Sequence, residues 1–415
     1  MKRQQALSDD TLLLAPEWAL LPDGPTQSPL QGQAVVVADG RFIDIGPRAE
    51  VAARHPHLHA VALPQRLLMP GFIDSHHHLT QSFGKALAFG EPSEIFRRIW
   101  VPLEGALDDD GLYLSTKLAA LEALRGGFTT VCDAGTRAAG GLQAVAAATR
   151  DVGIRCVLAR ICHEGPLQPA EHFLAAAAPL LHPSLAIAIP EAASDDMLHA
   201  VSRLCAESRA VFQIHVNEHL ASIERSLVAR GQRPLQHLHA VGALGPQALL
   251  AHCTMLAPDE MLMLRDSGSA VAYNPVASAW KGNAVAQVGL MHALNIRLGL
   301  GTDGTRSDGF RLLDAAETAQ RLAHGLVNGD SSCGGGRLWL DMATRSGADA
   351  AGLRGITGEV AIGQQADFLL IDLDVPELAP SWDLPWELVR LAAPDQIEAV
   401  HVADRKSTRL NSSHQ

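Results

Sequence analysis

The 415-residue chain is poor in aromatics, at 4%, and its six cysteines stand singly at Cys132, Cys156, Cys162, Cys205, Cys253 and Cys333. No Cys-x-x-C occurs, which excludes a disulfide framework and a cysteine zinc knuckle and fits a reducing, cytoplasmic setting. There is no run of about 18 apolar residues, so no segment is expected to span a membrane. Asp9 and Asp10 interrupt the N-terminus, and Leu12–Ala15 is too short for the apolar core of an export signal. Basic residues are scarce: 33 Lys and Arg against 45 Asp and Glu give a net charge of −12. Without a local basic stripe, that balance argues against a nucleic-acid surface. What the chain does have is Ala, Leu, Val and Gly, with 47% hydrophobic and 19% charged residues. Such a composition excludes wholesale disorder and suits helices packed on buried parallel strands.

Short apolar runs, many of them β-branched, recur with Ala/Leu-rich stretches between them. They are Leu67–Asp74, Phe128–Gly135, Arg155–Cys162, Leu185–Pro190, Ala210–Glu218, Ala248–Thr254, Ala270–Pro275 and Ile296–Asp303. Most are followed by an amphipathic segment such as Asp109–Arg125 or Pro258–Asp266. Continuous rather than alternating hydrophobicity marks strands covered on both faces. Eight strand–helix units over roughly 280 residues predict an α/β fold, a (β/α)8 TIM barrel.

The flanks differ. Ala34–Ile45 alternates and turns at Asp39-Gly40, a hairpin signal, while Phe368–Asp372 and Ile397–Val402 read as strands beyond the barrel. The expected organisation is a small β-sandwich built from both termini, residues 1–66 and 353–403, around a catalytic barrel at 67–352. Residues 404–415 stand apart: Asp404–His414 reads as one frame of a common short-read sequencing adapter and is set aside from fold expectations. On that reading the natural C-terminal sequence is missing after about residue 403, and the small sheet keeps an unpaired edge.

Chemistry concentrates where the apolar runs end. In Pro70-Gly-Phe-Ile-Asp-Ser-His-His-His78, His76 and His78 lie two apart, so both imidazoles can face the barrel mouth while His77 points away. His215 ends the fifth run, and Glu218, three residues on, converges with it only if the chain turns; it could equally cap the next helix. His252 ends the sixth run among apolar neighbours, where a satisfied core histidine is the commoner outcome. Asp303 ends the eighth and could merely cap a helix. Taken together these readings change weight, because four of eight strands then end in His or Asp on the one barrel face where such residues meet. Three imidazoles and a carboxylate suit one divalent ion, Zn²⁺ first and Fe²⁺ second. The chain has only five lysines and none between Lys117 and Lys281, so a bridging lysine on the fourth strand is unavailable, which argues for one metal rather than two.

These motifs resemble the amidohydrolase superfamily, in its branch of mononuclear-metal heterocycle deaminases and chlorohydrolases. The matching stretches are the Pro-Gly-Phe-Ile-Asp-x-His-x-His opening, His-x-x-Glu at 215–218, His252, Gly-Thr-Asp-Gly at 301–304, and Ala348–Asp372 with Gly363-Gln-Gln-Ala-Asp367. The resemblance implies metal ligands at His76, His78, His215 and Asp303, with Glu218, His252 and Asp303 catalytic. One departure is that Asn274-Pro-Val-Ala-Ser278 replaces the Pro-Ser-Asn often found after the seventh strand.

A metal of this kind lowers the pKa of its water from about 15.7 toward roughly 7, generating the nucleophile for attack at an electron-poor ring carbon. In the implied reaction Asp303 accepts the water proton, His252 stabilises the attacking oxygen, and Glu218 protonates the ring nitrogen and departing ammonia. Gln81 lies three residues beyond His78, where oxopurine and pterin deaminases carry His-His-His-x-x-Gln, and its amide can pair with a lactam edge. Trp280 and Lys281 could stack on and bond a flat heterocycle; Arg306 and Asp308 are weaker candidates. The expected partners are a small heterocyclic substrate and water, with a homo-oligomer left open. A pterin or oxopurine is the favoured substrate. Rivals are a triazine chlorohydrolase or aminohydrolase, a deaminase of S-adenosylhomocysteine or methylthioadenosine type, a ring-opening amidohydrolase, and a non-catalytic scaffold.

Overall fold

At Pro70-Gly71 the chain passes from one sheet into another. The computed structural model describes residues 11–22, 28–91, 95–139, 141–329, 334–403 and 405–408. The first sheet opens with β1 (Leu12–Ala19), β2 (Leu30–Gln31), β3 (Gln33–Ala38), β4 (Arg41–Pro47) and β5 (Ala60–Pro70). The second consists of β6 (Phe72–His77), β7 (Phe128–Asp133), β8 (Arg155–Ile161), β9 (Leu181–Ala186), β10 (Phe212–Val216), β11 (Ala248–His252), β12 (Ala270–Tyr273) and β13 (Arg297–Leu300). The chain then returns to the first sheet with β14 (Phe368–Asp372), β15 (Ile397–Val402) and β16 (Arg405–Thr408).

All eight strands of the second sheet run parallel in sequential order, with helices between them. A parallel bridge between His77 and Asp303 joins the last strand to the first. This is the expected (β/α)8 barrel, with a separate sheet drawn from both ends of the chain. That sheet runs β16-β15-β14-β5-β1-β3-β4, with β2 beside β1.

The expected first strand, Leu67–Asp74, spans two elements. Leu67–Pro70 belong to β5, and the barrel begins at Phe72. Hydrophobicity is continuous across the junction because both sides are buried, so apolar patterning does not reveal the change of sheet. Gly71 marks it: a Cβ there would sit 2.1 Å from Thr129 of β7. Strand β9 starts four residues earlier than expected, where His182 and Pro183 mask its apolar pattern. The Asp39-Gly40 hairpin and the bounds of β14 and β15 are as expected. Residues 405–408, set aside above, pair antiparallel with β15, so the edge falls one strand later. Backbone ladders accept almost any extended sequence, and their formation carries no information about the origin of these residues. Cys333 lies outside the described residues, and the other five cysteines are buried and unbridged.

One buried ion pair fastens the two sheets together. The Arg155 guanidinium of β8 donates to both carboxylate oxygens of Asp367, at 3.0 and 3.2 Å, with both side chains fully enclosed. The same carboxylate accepts from Thr357 Oγ1 at 2.7 Å and from the Ala403 amide at 2.8 Å. Asp367 is the acid of the Gly363-Gln-Gln-Ala-Asp367 motif, so that motif is the joint between the barrel and the terminal sheet.

Candidate active site

Strand ends deliver the polar side chains, and the backbone bends sharply to do so. His252, Asp303 and Asn217 all have positive φ, at 75°, 56° and 50°. Such angles are costly for non-glycine residues and gather at functional sites. At Asn217 the bend supplies the turn that Glu218 needs in order to converge with His215. The Asn217 side chain is locked by donating to Glu260 at 3.0 Å and accepting from the Leu235 amide at 3.2 Å. Gly301 lets the β13 backbone pass the site closely, since a Cβ there would meet Asn274 Oδ1 at 2.2 Å and His76 Cβ at 3.0 Å.

His76, His78, His215 and Asp303 meet at the mouth. Asp303 Oδ1 lies 3.4 Å from His78 Nε2 and 3.8 Å from His76 Nε2, and His215 Nε2 is 3.3 Å from His78 Nε2. His215 Nδ1 donates to the Ala188 carbonyl at 2.8 Å, which leaves its Nε2 lone pair directed inward. Burial and the neighbouring imidazoles push His76 well below the usual histidine range. Burial does the same to His78, outweighing Asp303, and holds His215 near 4. All three are neutral near pH 7, the form that binds metal. His76 Nε2 is buried without a hydrogen-bond partner among the described residues. An orphaned buried lone pair, facing a second imidazole and a carboxylate oxygen, is the environment a divalent cation satisfies.

His252 belongs to a second, overlapping group with His76 and His215. Its tautomer separates it from the ligands. Asn274 Nδ2 donates to His252 Nδ1 at 3.2 Å, so Nε2 carries the proton and presents a donor rather than a lone pair. That Nε2 lies 3.8 Å from Glu218 Oε2. His77 turns away, as expected, onto Thr302 Oγ1 at 2.8 Å and Asp74 at 3.4 Å.

The expected substrate contacts each have partners within the protein. Lys281 lines the cavity, and its Nζ bridges Asp303 Oδ2 at 2.7 Å and Glu218 Oε1 at 3.0 Å, on a side chain 9% exposed. Burial would lower its pKa, but the two carboxylates outweigh that and raise it. Reciprocally, burial would raise Glu218 and Asp303, yet His252 and Lys281 hold Glu218 low, and Lys281 with the histidines holds Asp303 low. Trp280 packs edge-on against Phe89, with ring centroids 5.8 Å apart, and is not among the described residues lining the cavity. Gln81 does line it, but its amide nitrogen is already committed to Glu104 Oε1 at 3.2 Å. Arg306 is exposed and pairs with Asp308 at 3.0 Å, while Asp308 caps helix Gly309–Asn328.

Two residues not singled out from the sequence also shape the cavity. Arg137 lines it, and the wholly buried Glu104 stands behind Arg137 and Gln81. Their signal was slight: an acid inside the apolar run before Asp109, and an arginine four residues past β7.

Residues 67–403 match the profile of the amidohydrolase family, and residues 34–57 match that of the imidazolonepropionase-like composite domain of bacteria. The chain belongs to the amidohydrolase family. It is 30% identical to a 5-methylthioadenosine/S-adenosylhomocysteine deaminase of Nitratidesulfovibrio vulgaris, covering 89% of this chain and 86% of that one. A protein of the same name from Syntrophobacter fumaroxidans is 28% identical, covering 94% and 92%. Among solved structures, an adenosine deaminase from Xanthomonas campestris with bound zinc superposes with a TM-score of 0.86 at 22% identity, covering 96% and 92%. The family match and these deaminase-named relatives place this amidohydrolase in the heterocycle-deaminase branch, as a hydrolase acting on carbon–nitrogen bonds. Among its described residues, no helix is long and apolar enough to cross a membrane.

Proposed function

We propose that this amidohydrolase deaminates a 2-amino-4-oxo nitrogen heterocycle, a pterin or an oxopurine, with one divalent metal, zinc by preference. The observation that carries the substrate reading is the state of Gln81. With its amide nitrogen given to Glu104, its Oε1 is left as a buried acceptor without a partner among the described residues. A lactam edge supplies the N–H that such an acceptor needs, and the neighbouring carbonyl can take a donor from Arg137. A site built around an unmet acceptor rejects rings that bring no donor to it.

His76, His78, His215 and Asp303 would hold the cation, which when bound supplies acidified water at neutral pH. Glu218, kept ionised by His252 and Lys281, would carry one proton of the attacking water to the ring nitrogen beside the amino-bearing carbon, and the second, released from the added hydroxyl, to the departing amine. His252 Nε2–H stabilises negative charge developing on the attacked carbon's new oxygen. Lys281 holds Asp303 Oδ2, so that Oδ1 stays turned toward the histidines.

A second reading, deamination of an adenosine thioether, is favoured by the names of the relatives. The endocyclic nitrogen on adenine's Watson–Crick edge is an acceptor where a lactam has an N–H, so only the exocyclic amino group, which leaves in the reaction, could donate to Gln81 Oε1. The test is ammonia release from zinc-loaded protein across pterins, oxopurines, triazines and adenosine derivatives. Turnover of lactam-bearing amines is expected. Turnover of adenosine thioethers alone would establish the second reading, and no ammonia from any compound would reject deamination.

A further inference from the structure

We infer that Glu104 is a positioning residue that sets the polarity with which the cavity reads its substrate. The inference rests on the reading of the substrate as a lactam-bearing heterocycle. Glu104 lies on the short helix Val101–Gly105, ahead of the barrel's first long helix, and is fully buried. Its Oε1 accepts from Thr80 Oγ1 at 3.1 Å and Gln81 Nε2 at 3.2 Å. Its Oε2 accepts from the Arg137 amide at 3.2 Å and Arg137 Nη1 at 2.9 Å. One carboxylate thus joins the segment after β6 to the segment after β7, with four donors converging on two oxygens.

A glutamine side chain is ambiguous, because rotating its amide by half a turn exchanges donor for acceptor with little change in shape. Glu104 removes that ambiguity. A carboxylate only accepts, so the Gln81 nitrogen must face it and the oxygen must face elsewhere. Gln81 Oε1 rests beside Gly304, next to the metal-ligand candidate Asp303, where a Cβ on Gly304 would meet it at 2.7 Å. Arg137 is fixed by the same carboxylate and by stacking over Phe96, 4.4 Å from the ring centroid. Its remaining N–H groups are donors and nothing else. With both side chains fixed in this way, a substrate that reaches Gln81 must bring an N–H to its enclosed Oε1, and one that reaches Arg137 must bring an acceptor such as a carbonyl.

Glu104→Gln tests this, because the new side chain keeps the shape but can donate to Gln81 Oε1, permitting the amide to turn its nitrogen to the cavity. Glu104→Asp, which keeps the charge but withdraws both oxygens by about one carbon–carbon bond (~1.5 Å), is the second variant should the first fold poorly. The measurement is the dissociation constant of pterin and of 3-methylpterin, read by ligand fluorescence on zinc-loaded protein carrying Glu218→Gln so that neither compound is consumed. The unaltered cavity should prefer pterin by about 10- to 100-fold, the weight of one buried hydrogen bond left unmade. Both Glu104 variants should lose most of that preference, Glu104→Gln the more completely. General loosening of the fold would weaken both ligands together and leave their ratio intact. If the protein with Glu104 binds neither compound or does not discriminate, the substrate reading fails and this inference with it. If it discriminates and the variants discriminate equally, only the role of Glu104 is overturned.

Discussion

Replacing Lys281 by methionine removes a buried ammonium that lies between two carboxylates. At 3.0 and 2.7 Å and an effective dielectric near 20, each contact is worth about 6 kcal/mol of Coulomb attraction. Desolvation of the ions offsets much of this, and losing one member of such a buried group typically costs about 3–5 kcal/mol. The pH dependence follows from the directions of the shifts. Glu218 and Asp303 are held below their unfolded values, so their contribution is present above about pH 4 and is lost as pH falls. Lys281 is held above its unfolded value, so its contribution is complete below about pH 10 and is lost only at higher pH. The metal-free variant should therefore be least stable relative to the parent between about pH 6 and 9, and the deficit should narrow below about pH 4. In the zinc-loaded enzyme Glu218 becomes harder to ionise, and the acid limb of kcat/KM should move to higher pH by at least about one unit, equivalent to about 1.4 kcal/mol. Thermal unfolding of chelated protein across that range, with the pH–rate profile of loaded protein, measures both effects. An unchanged acid limb together with an unchanged melting temperature at pH 7 would show that the ammonium does not govern these carboxylates.

Two further outcomes follow from the same geometry. Glu218→Gln should keep its zinc, measured by elemental analysis, because Glu218 is outside the ligand set, while kcat falls by about 10²–10⁴-fold with loss of proton transfer; near-parental turnover would remove Glu218 from that role. Asp367→Asn should lower stability to urea by about 3–5 kcal/mol, because it leaves Arg155 buried beside a neutral amide; a change below about 1 kcal/mol, the scale of an exposed pair, would show that the joint contributes little.

Much of the barrel was legible because eight buried strands carry eight apolar runs, and residues that end such runs must emerge on one face. His76, His78, His215, His252 and Asp303 could be picked out for that reason alone. The boundary at Pro70-Gly71 was hidden, since burial on both sides of a junction looks the same as burial within one strand. The bridge from Lys281 to Glu218 and Asp303 was not legible, because it joins the end of helix Pro275–Lys281 to side chains 63 and 22 residues away, which no local pattern encodes. Trp280 was assigned to the substrate on chemistry; its packing against Phe89, almost two hundred residues earlier, left no sign in the local sequence. Glu104 and Arg137 went unremarked because each is a single charge whose meaning arises only when the other is beside it.

The tie between Arg155 and Asp367 bears on how such proteins can be rebuilt. A terminal sheet borrowed from a relative would arrive with an acid shaped to its own barrel, and a barrel transplanted without its partner would carry an enclosed guanidinium with nothing to answer it. Chimeras cut between the two sheets should therefore succeed only when position 155 and position 367 travel as a matched set, whatever is exchanged around the cavity mouth.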